Sequence, residues 1–208
     1  MAIKSLFPSR EEAEKLFLWA YNKNPEPWAE HCRAVARAAE GIALKCNMNP
    51  EKAYILGLFH DVGYYGYKNG KGSTCHIYFG YELMMEKGHE SIAKICLTHS
   101  FPIRDMTTYS GSDMYCNDEQ KEFIALYLSN TVYDDYDRLI QLSDCLGTAQ
   151  GIVTMDKRNM DVVLRKGFNE NTLKVWSAYY DLKDYFDKKC GINIYNLFYD
   201  EIKSSIFD

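Results

Sequence analysis

Apolar residues recur at spacings of three and four along most of the chain, and stretches of strict alternation are scarce, so the pattern predicts helices rather than strands. Ser9 followed by Glu12 is a capping-box pattern that opens a first helix through Ala13, Leu16, Phe17 and Ala20 to about Asn22. Pro25 and Pro27 then break the chain. A second helix, from about Trp28 to Lys45, carries Val35, Ala38, Ala39 and Ile42 on one face, with His31 near its start on that same inward side. Asn49 followed by Pro50 marks a third helix start, and that helix ends around His60-Asp61-Val62-Gly63. Further helices are predicted over Ser73–Lys87, His89–His99, Asp118–Asn130 and Asp134–Thr148, with two or three more to the C-terminus.

Two connections stand out between these elements. Tyr64 to Ser73 contains Gly66, Gly70 and Gly72 with Lys68 and Lys71, a composition suited to a mobile loop able to cover a ligand beside His60-Asp61. Phe101 to Asn117, with Pro102 and Gly111, lacks helical periodicity and follows His99 directly. No repeat or low-complexity tract interrupts the chain. The expected architecture is all-α, a compact multi-helix bundle in one domain over 1–208, its core at about 28–150 with an N-terminal helix and a C-terminal helical extension.

Composition narrows the class. A chain 47% hydrophobic and 25% charged can bury a core, which excludes wholesale disorder. The formal net charge of −5 gives no basic footprint for duplex DNA or RNA. An anionic small molecule can still bind an acidic chain where metal ions dominate the local field. The seven cysteines are scattered without a CxxC pair and read as reduced thiols. The first residues lack the apolar stretch of a signal peptide, and no apolar run approaches the roughly 20 residues of a membrane span. The cytoplasm is the expected location, with no membrane partner.

The residues with chemical potential are few. His60-Asp61 offers an imidazole nitrogen and a carboxylate from adjacent positions, a mixed donor set suited to a transition metal, although the dipeptide also recurs by chance. Upstream, His31 sits in Trp-Ala-Glu-His-Cys-Arg, and downstream Asp144 sits in Leu-Ile-Gln-Leu-Ser-Asp-Cys, both within apolar helical settings. An inward carboxylate needs a cation or strong hydrogen bonds, because burying it unpaired is expensive.

His31, then His60-Asp61, then the distant Asp144 follow the ordered helical pattern of the HD-domain metal-dependent phosphohydrolase superfamily, which the chain resembles over about residues 28 to 150. His76 and His99 fall where the two-metal branches of that superfamily carry extra ligands. The resemblance implies His31, His60 and Asp144 on one divalent ion, His76 and His99 on a second, and Asp61 bridging the two. Fe or Mn is the first expectation for the metal, with Mg, Ni, Co or Zn as alternatives. It further implies hydrolysis of a phosphate ester or anhydride by a metal-bridging hydroxide, with His60 and Asp61 at the catalytic centre. The substrate would be a small phosphorylated molecule, a nucleotide or dinucleoside polyphosphate. The nearest likeness is to the bacterial hydrolases that cleave dinucleoside polyphosphates symmetrically.

One position departs from that pattern. Many two-metal members have Lys three residues after the Asp of the pair, where this chain has Tyr64. Lys68, Lys71 or Arg104 is the expected replacement for the phosphate-contacting charge. Two other functions stay open: a single-metal 5'-nucleotidase in which His76 and His99 are structural, and a helical module that binds a nucleotide without turnover. A homo-oligomer is compatible with either, and redox chemistry on a related scaffold ranks last.

Plainer roles compete at several positions. His76 suits a helix cap beside Ser73 and Thr74, and His89 suits an exposed helix start. Tyr64, Tyr65 and Tyr67 suit core packing better than stacking on a base. Cys32, Cys75 and Cys145 adjoin expected ligands but should point away as buried, inert thiols. Arg158 and Arg165, flanking Asp161, read as an ion-paired, exposed helix face.

Overall fold

Caps and breakers set the helix boundaries. In the computed structural model, which describes residues 7–66, 75–109 and 115–207, the Ser9 side chain accepts from the Glu12 backbone N–H while the Glu12 carboxylate accepts from the Ser9 N–H, which starts α1, Arg10–Lys23. The helix α2, Trp28–Lys45, follows the proline break, and Asn49 caps α3, Pro50–Phe59. The remaining helices are α4, His76–Glu86, α5, Glu90–Thr98, α6, Asp118–Asn130, α7, Asp135–Asp144, α8, Met155–Lys166, α9, Thr172–Cys190, and α10, Tyr199–Phe207. The all-α expectation is met, with start positions within a few residues of those predicted.

Two elements differ. The helix predicted over Asp134–Thr148 stops at Asp144, after which Gly147–Thr148 pairs antiparallel with Gly151–Ile152 in a two-stranded hairpin. Glycine at two of those four positions disfavours further helix, and Gly151 has φ of 135°, a conformation open to glycine. Tyr64, read as part of a loop, lies within a tight 3-10 turn over Val62–Gly66. The Gly- and Lys-rich remainder of that loop, 67–74, lies outside the described residues, as does 110–114.

The core is centred on α2. Its alanines at 34, 36, 38, 39 and 43 are all buried, and their small side chains let neighbouring helices approach. Against them lies Gly57 of α3, where a Cβ would sit 2.8 Å from the Ala36 Cα. That close crossing holds His31 on α2 beside His60 at the end of α3. A second cluster, including Ile77, Leu97, Phe101, Ile124 and Leu128, packs α4, α5 and α6 together.

A buried polar network ties α5 to α7. Asp137 accepts from the Thr98 hydroxyl at 2.9 Å and pairs with Lys94. Gln141 Nε2 donates to the carbonyl oxygens of Thr98 at 3.0 Å and Phe101 at 3.1 Å. These bonds fix the end of α5, where His99 stands, against the helix that ends in Asp144.

The cysteine expectation is corrected for four of the seven. Cys46 is bonded to Cys190, and Cys75 to Cys116, while Cys32, Cys96 and Cys145 are buried thiols. The partners stand 144 and 41 residues apart in sequence, and spacing alone does not disclose such pairings. No helix among the described residues is long and apolar enough to cross a membrane.

Candidate metal centre

Six side chains converge from five helix ends and faces. His31 comes from the first turns of α2, His60 from the C-cap of α3, Asp61 from the residue after it, His76 from the first position of α4, His99 from the C-cap of α5, and Asp144 from the end of α7. Helix termini suit this purpose because the chain can leave its helical path while the helix itself stays packed.

Asp61 stands at the centre, and its two oxygens face different partners. Oδ2 lies 3.7 Å from His31 Nε2 and 3.6 Å from His60 Nε2. Oδ1 lies 3.3 Å from His76 Nε2 and 3.2 Å from His99 Nε2. Asp144 Oδ1 joins the first set, 3.1 Å from His31 Nε2 and 3.8 Å from His60 Nε2. The donor atoms of His31, His60 and Asp61 lie within 4.8 Å of one another, as do those of Asp61, His76 and His99, and those of His60, His99 and Asp144.

Backbone carbonyls orient two of the rings. His60 Nδ1–H donates to the Gly57 oxygen at 2.7 Å, and His99 Nδ1–H donates to the oxygens of Ile95 and Cys96 at 3.2 and 3.1 Å. In neutral His60 and His99 that leaves the Nε2 lone pair directed at the cluster, as metal ligation requires. Tyr64, at the position where many two-metal members carry lysine, stacks on His76 with ring centroids 4.3 Å apart and so braces that imidazole.

Protonation states agree with that geometry at His60 and His76. Burial pulls His60 and His76 down to about 4, so both are neutral near pH 7. Burial also lowers His99, but its hydrogen bond to Asp61 and the charge of that carboxylate outweigh the effect and raise it. Burial alone would raise Asp61 and Asp144. The surrounding histidines hold Asp61 well below the usual carboxylate range, and His31, His60 and Arg158 do the same for Asp144.

A family model described as HD domain matches residues 28–149, more than half of the chain. The chain belongs to the HD domain family. No curated protein and no solved structure gives a match. HD domains are generally metal-dependent hydrolases, and the matched span contains all six converging side chains. The residues of this HD domain fit divalent ions: the donor set is mixed imidazole and carboxylate, and the two oxygens of Asp61 face four imidazole nitrogens at 3.2–3.7 Å.

The expected phosphate-contacting residues fare differently. Arg104 is exposed and donates to the Thr131 oxygen at 2.7 Å, in a pocket with Pro102 and Tyr133 that contains none of the six. Lys68 and Lys71 lie outside the described residues. Arg158 is the residue that sequence reasoning set aside. Its side chain is 16% exposed, lies 3.6 Å from Asp144 Oδ1, and lines the same cavity as Asp61, His76, His99 and Asp144. Arg165 lines that cavity too, yet it is half exposed and paired with Asp161 at 2.8 Å, so the reading as an exposed, ion-paired face holds for Arg165 and is corrected for Arg158, which is largely buried. The signal was their seven-residue spacing, which is two helical turns on one face.

Proposed function

We propose that this HD domain is a phosphohydrolase that cleaves a phosphate ester or anhydride of a nucleotide with two divalent ions, Fe or Mn first among them. The observation that carries this reading is the division of Asp61, whose two oxygens face two separate histidine sets. Such a carboxylate suits a bridge between two cations. His31, His60 and Asp144 would complete one ligand set and His76 and His99 the other.

When bound, the ions supply an activated water and positive charge for phosphoryl oxygens. The chain supplies the rest. The carbonyls of Gly57, Ile95 and Cys96 hold two imidazoles in their ligating tautomer, and Tyr64 holds His76 in place. Arg158, beside Asp144, directs a fixed positive charge to the rim of the centre, where the transition state of phosphoryl transfer gathers negative charge.

The test is phosphate release by the Mn- or Fe-loaded chain over nucleoside mono-, di- and triphosphates and dinucleoside polyphosphates. Turnover of at least one nucleotide, reduced at least about 100-fold in Asp61→Asn, is expected. A chain that binds nucleotides but releases no phosphate under any loading would replace the hydrolase with a binding module. Turnover of monophosphates with one ion per chain would move His76 and His99 out of the centre.

A further inference from the structure

One wall of the cavity over the centre is built from α8, which lies beyond the stretch that matches the HD domain. Its positions 158, 159, 162, 163, 165 and 166 all line that cavity, the stripe that a helix presents at spacings of four and seven. The polar members, Arg158, Asn159, Arg165 and Lys166, are all hydrogen-bond donors. Arg158 stands beside Asp144, and Arg165 is seven residues, about 10 Å, farther along the axis. The stripe thus leads from the candidate metal centre outward.

Ion pairing within the helix accounts for part of this charge, since Arg158 and Arg165 both reach Asp161 Oδ2, at 3.4 and 2.8 Å. It does not account for Asn159. That side chain is 5% exposed and its Oδ1 accepts from the Cys145 thiol, but its Nδ2 has no partner among the described residues. A buried amide donor without an acceptor, on a cavity wall and next to Arg158, is costly unless a ligand supplies the acceptor. The cavity measures about 150 Å³ and opens to solvent, so it has room for phosphoryl groups along α8.

Resting on the phosphohydrolase reading above, we infer that Arg158, Asn159, Arg165 and Lys166 form a subsite for a second phosphoryl group, linked to the one held at the metal centre. The chain therefore favours substrates with two or more linked phosphoryl groups over monophosphates. Asn159 and Arg158 take that second group, and Arg165 and Lys166 take charge farther out.

The experiment compares binding of methylenediphosphonate and methylphosphonate to the Mn-loaded full chain by calorimetry, because neither P–C bond can be hydrolysed. The diphosphonate should bind about tenfold or more tightly than the monophosphonate. The gap should shrink below about threefold in Arg165→Ala/Lys166→Ala and in Asn159→Leu, while Lys203→Ala, which removes an exposed charge from α10, leaves it intact. Thermal melts check that each variant folds, and the two independent variants keep the test open if one does not. Equal affinity for the two phosphonates in the parent chain, or a gap that survives both α8 variants, overturns the subsite. Metal content on the same samples separates the outcomes: two ions with no preference removes only the subsite, whereas absence of metal removes the hydrolase reading and the subsite with it.

Discussion

If the centre holds two ions as proposed, replacing Gly63 by alanine should empty one half of it while leaving the other half in place. Gly63 lies in the 3-10 turn after Asp61, pressed against the start of α4, and a Cβ there would meet the His76 carbonyl oxygen at 1.8 Å and the Gly80 N at 2.6 Å. Both obstacles are backbone, so no rotamer change relieves them. To move from 1.8 Å to the 3.4 Å where ordinary contact begins, the start of α4 must retreat by about 1.6 Å. His76 is the first residue of α4 and retreats with it, whereas metal–ligand distances tolerate only about 0.2 Å. His31, His60 and Asp144 stand on other helices and keep their places. Overpacking of this kind costs about 1–3 kcal/mol, a fall in Tm of roughly 2–12 °C for a chain of this size. Metal analysis of Gly63→Ala, with a thermal melt, should find about one ion per chain in a folded protein, against two in the parent. Two tightly held ions with an unchanged Tm would show that the approach of Gly63 to α4 does not position His76, and would refute the reasoning.

Acid should destabilise the metal-free chain over a defined window. His60 and His76 have folded-state pKa values of about 4 against an ordinary 6.5, so their contribution to stability is present above pH 6.5 and is lost as the pH falls towards 4. His99, raised instead, is protonated in both states below pH 6.5 and adds no slope there. Urea unfolding at pH 6.5 and 4.5 should differ by about 2–3 kcal/mol for each of the two histidines, and a flat profile would contradict their burial as neutral rings. Asp137→Ala leaves the buried Thr98 hydroxyl without its acceptor and takes from Lys94 its nearest carboxylate, and should cost about 3 kcal/mol in chemical denaturation; a loss below 1 kcal/mol would deny the pair its structural part. Removing the Cys46–Cys190 bond, which joins the ends of α2 and α9, by Cys46→Ser/Cys190→Ser should lower the stability of the oxidised chain by about 2–5 kcal/mol; a melt identical to that of the oxidised parent would argue against the bond.

The helices were legible wherever local chemistry decides them. Ser9 with Glu12, Asn49 with Pro50, and the proline break before Trp28 mark boundaries by hydrogen-bonding rules that act within four residues, and α1, α2 and α3 begin within a residue of where those rules put them. The metal centre was legible for a different reason. An ordered set of histidines and aspartates is a sequence property, although the division of Asp61 between two donor sets is visible only in space. The remainder depended on distance. Cys46 and Cys190 meet across 144 residues, and Arg158 reaches Asp144 because the hairpin at Gly147–Ile152 turns α8 back over the centre. Arg104, expected as a phosphate contact from a neighbouring loop, instead donates to the Thr131 oxygen in a different pocket. Tyr64 stacks on His76, a contact that its sequence position alone does not disclose, and in the proposed reading the positive charge comes from Arg158 of α8.

Metal content per chain is the most direct test of a centre divided by Asp61. The purified chain, loaded with Mn and freed of excess ion, should hold about two ions by elemental analysis, and about one in His76→Ala. A chain that holds none under any loading, or that keeps the same single ion with and without His76, would contradict the two-ion centre.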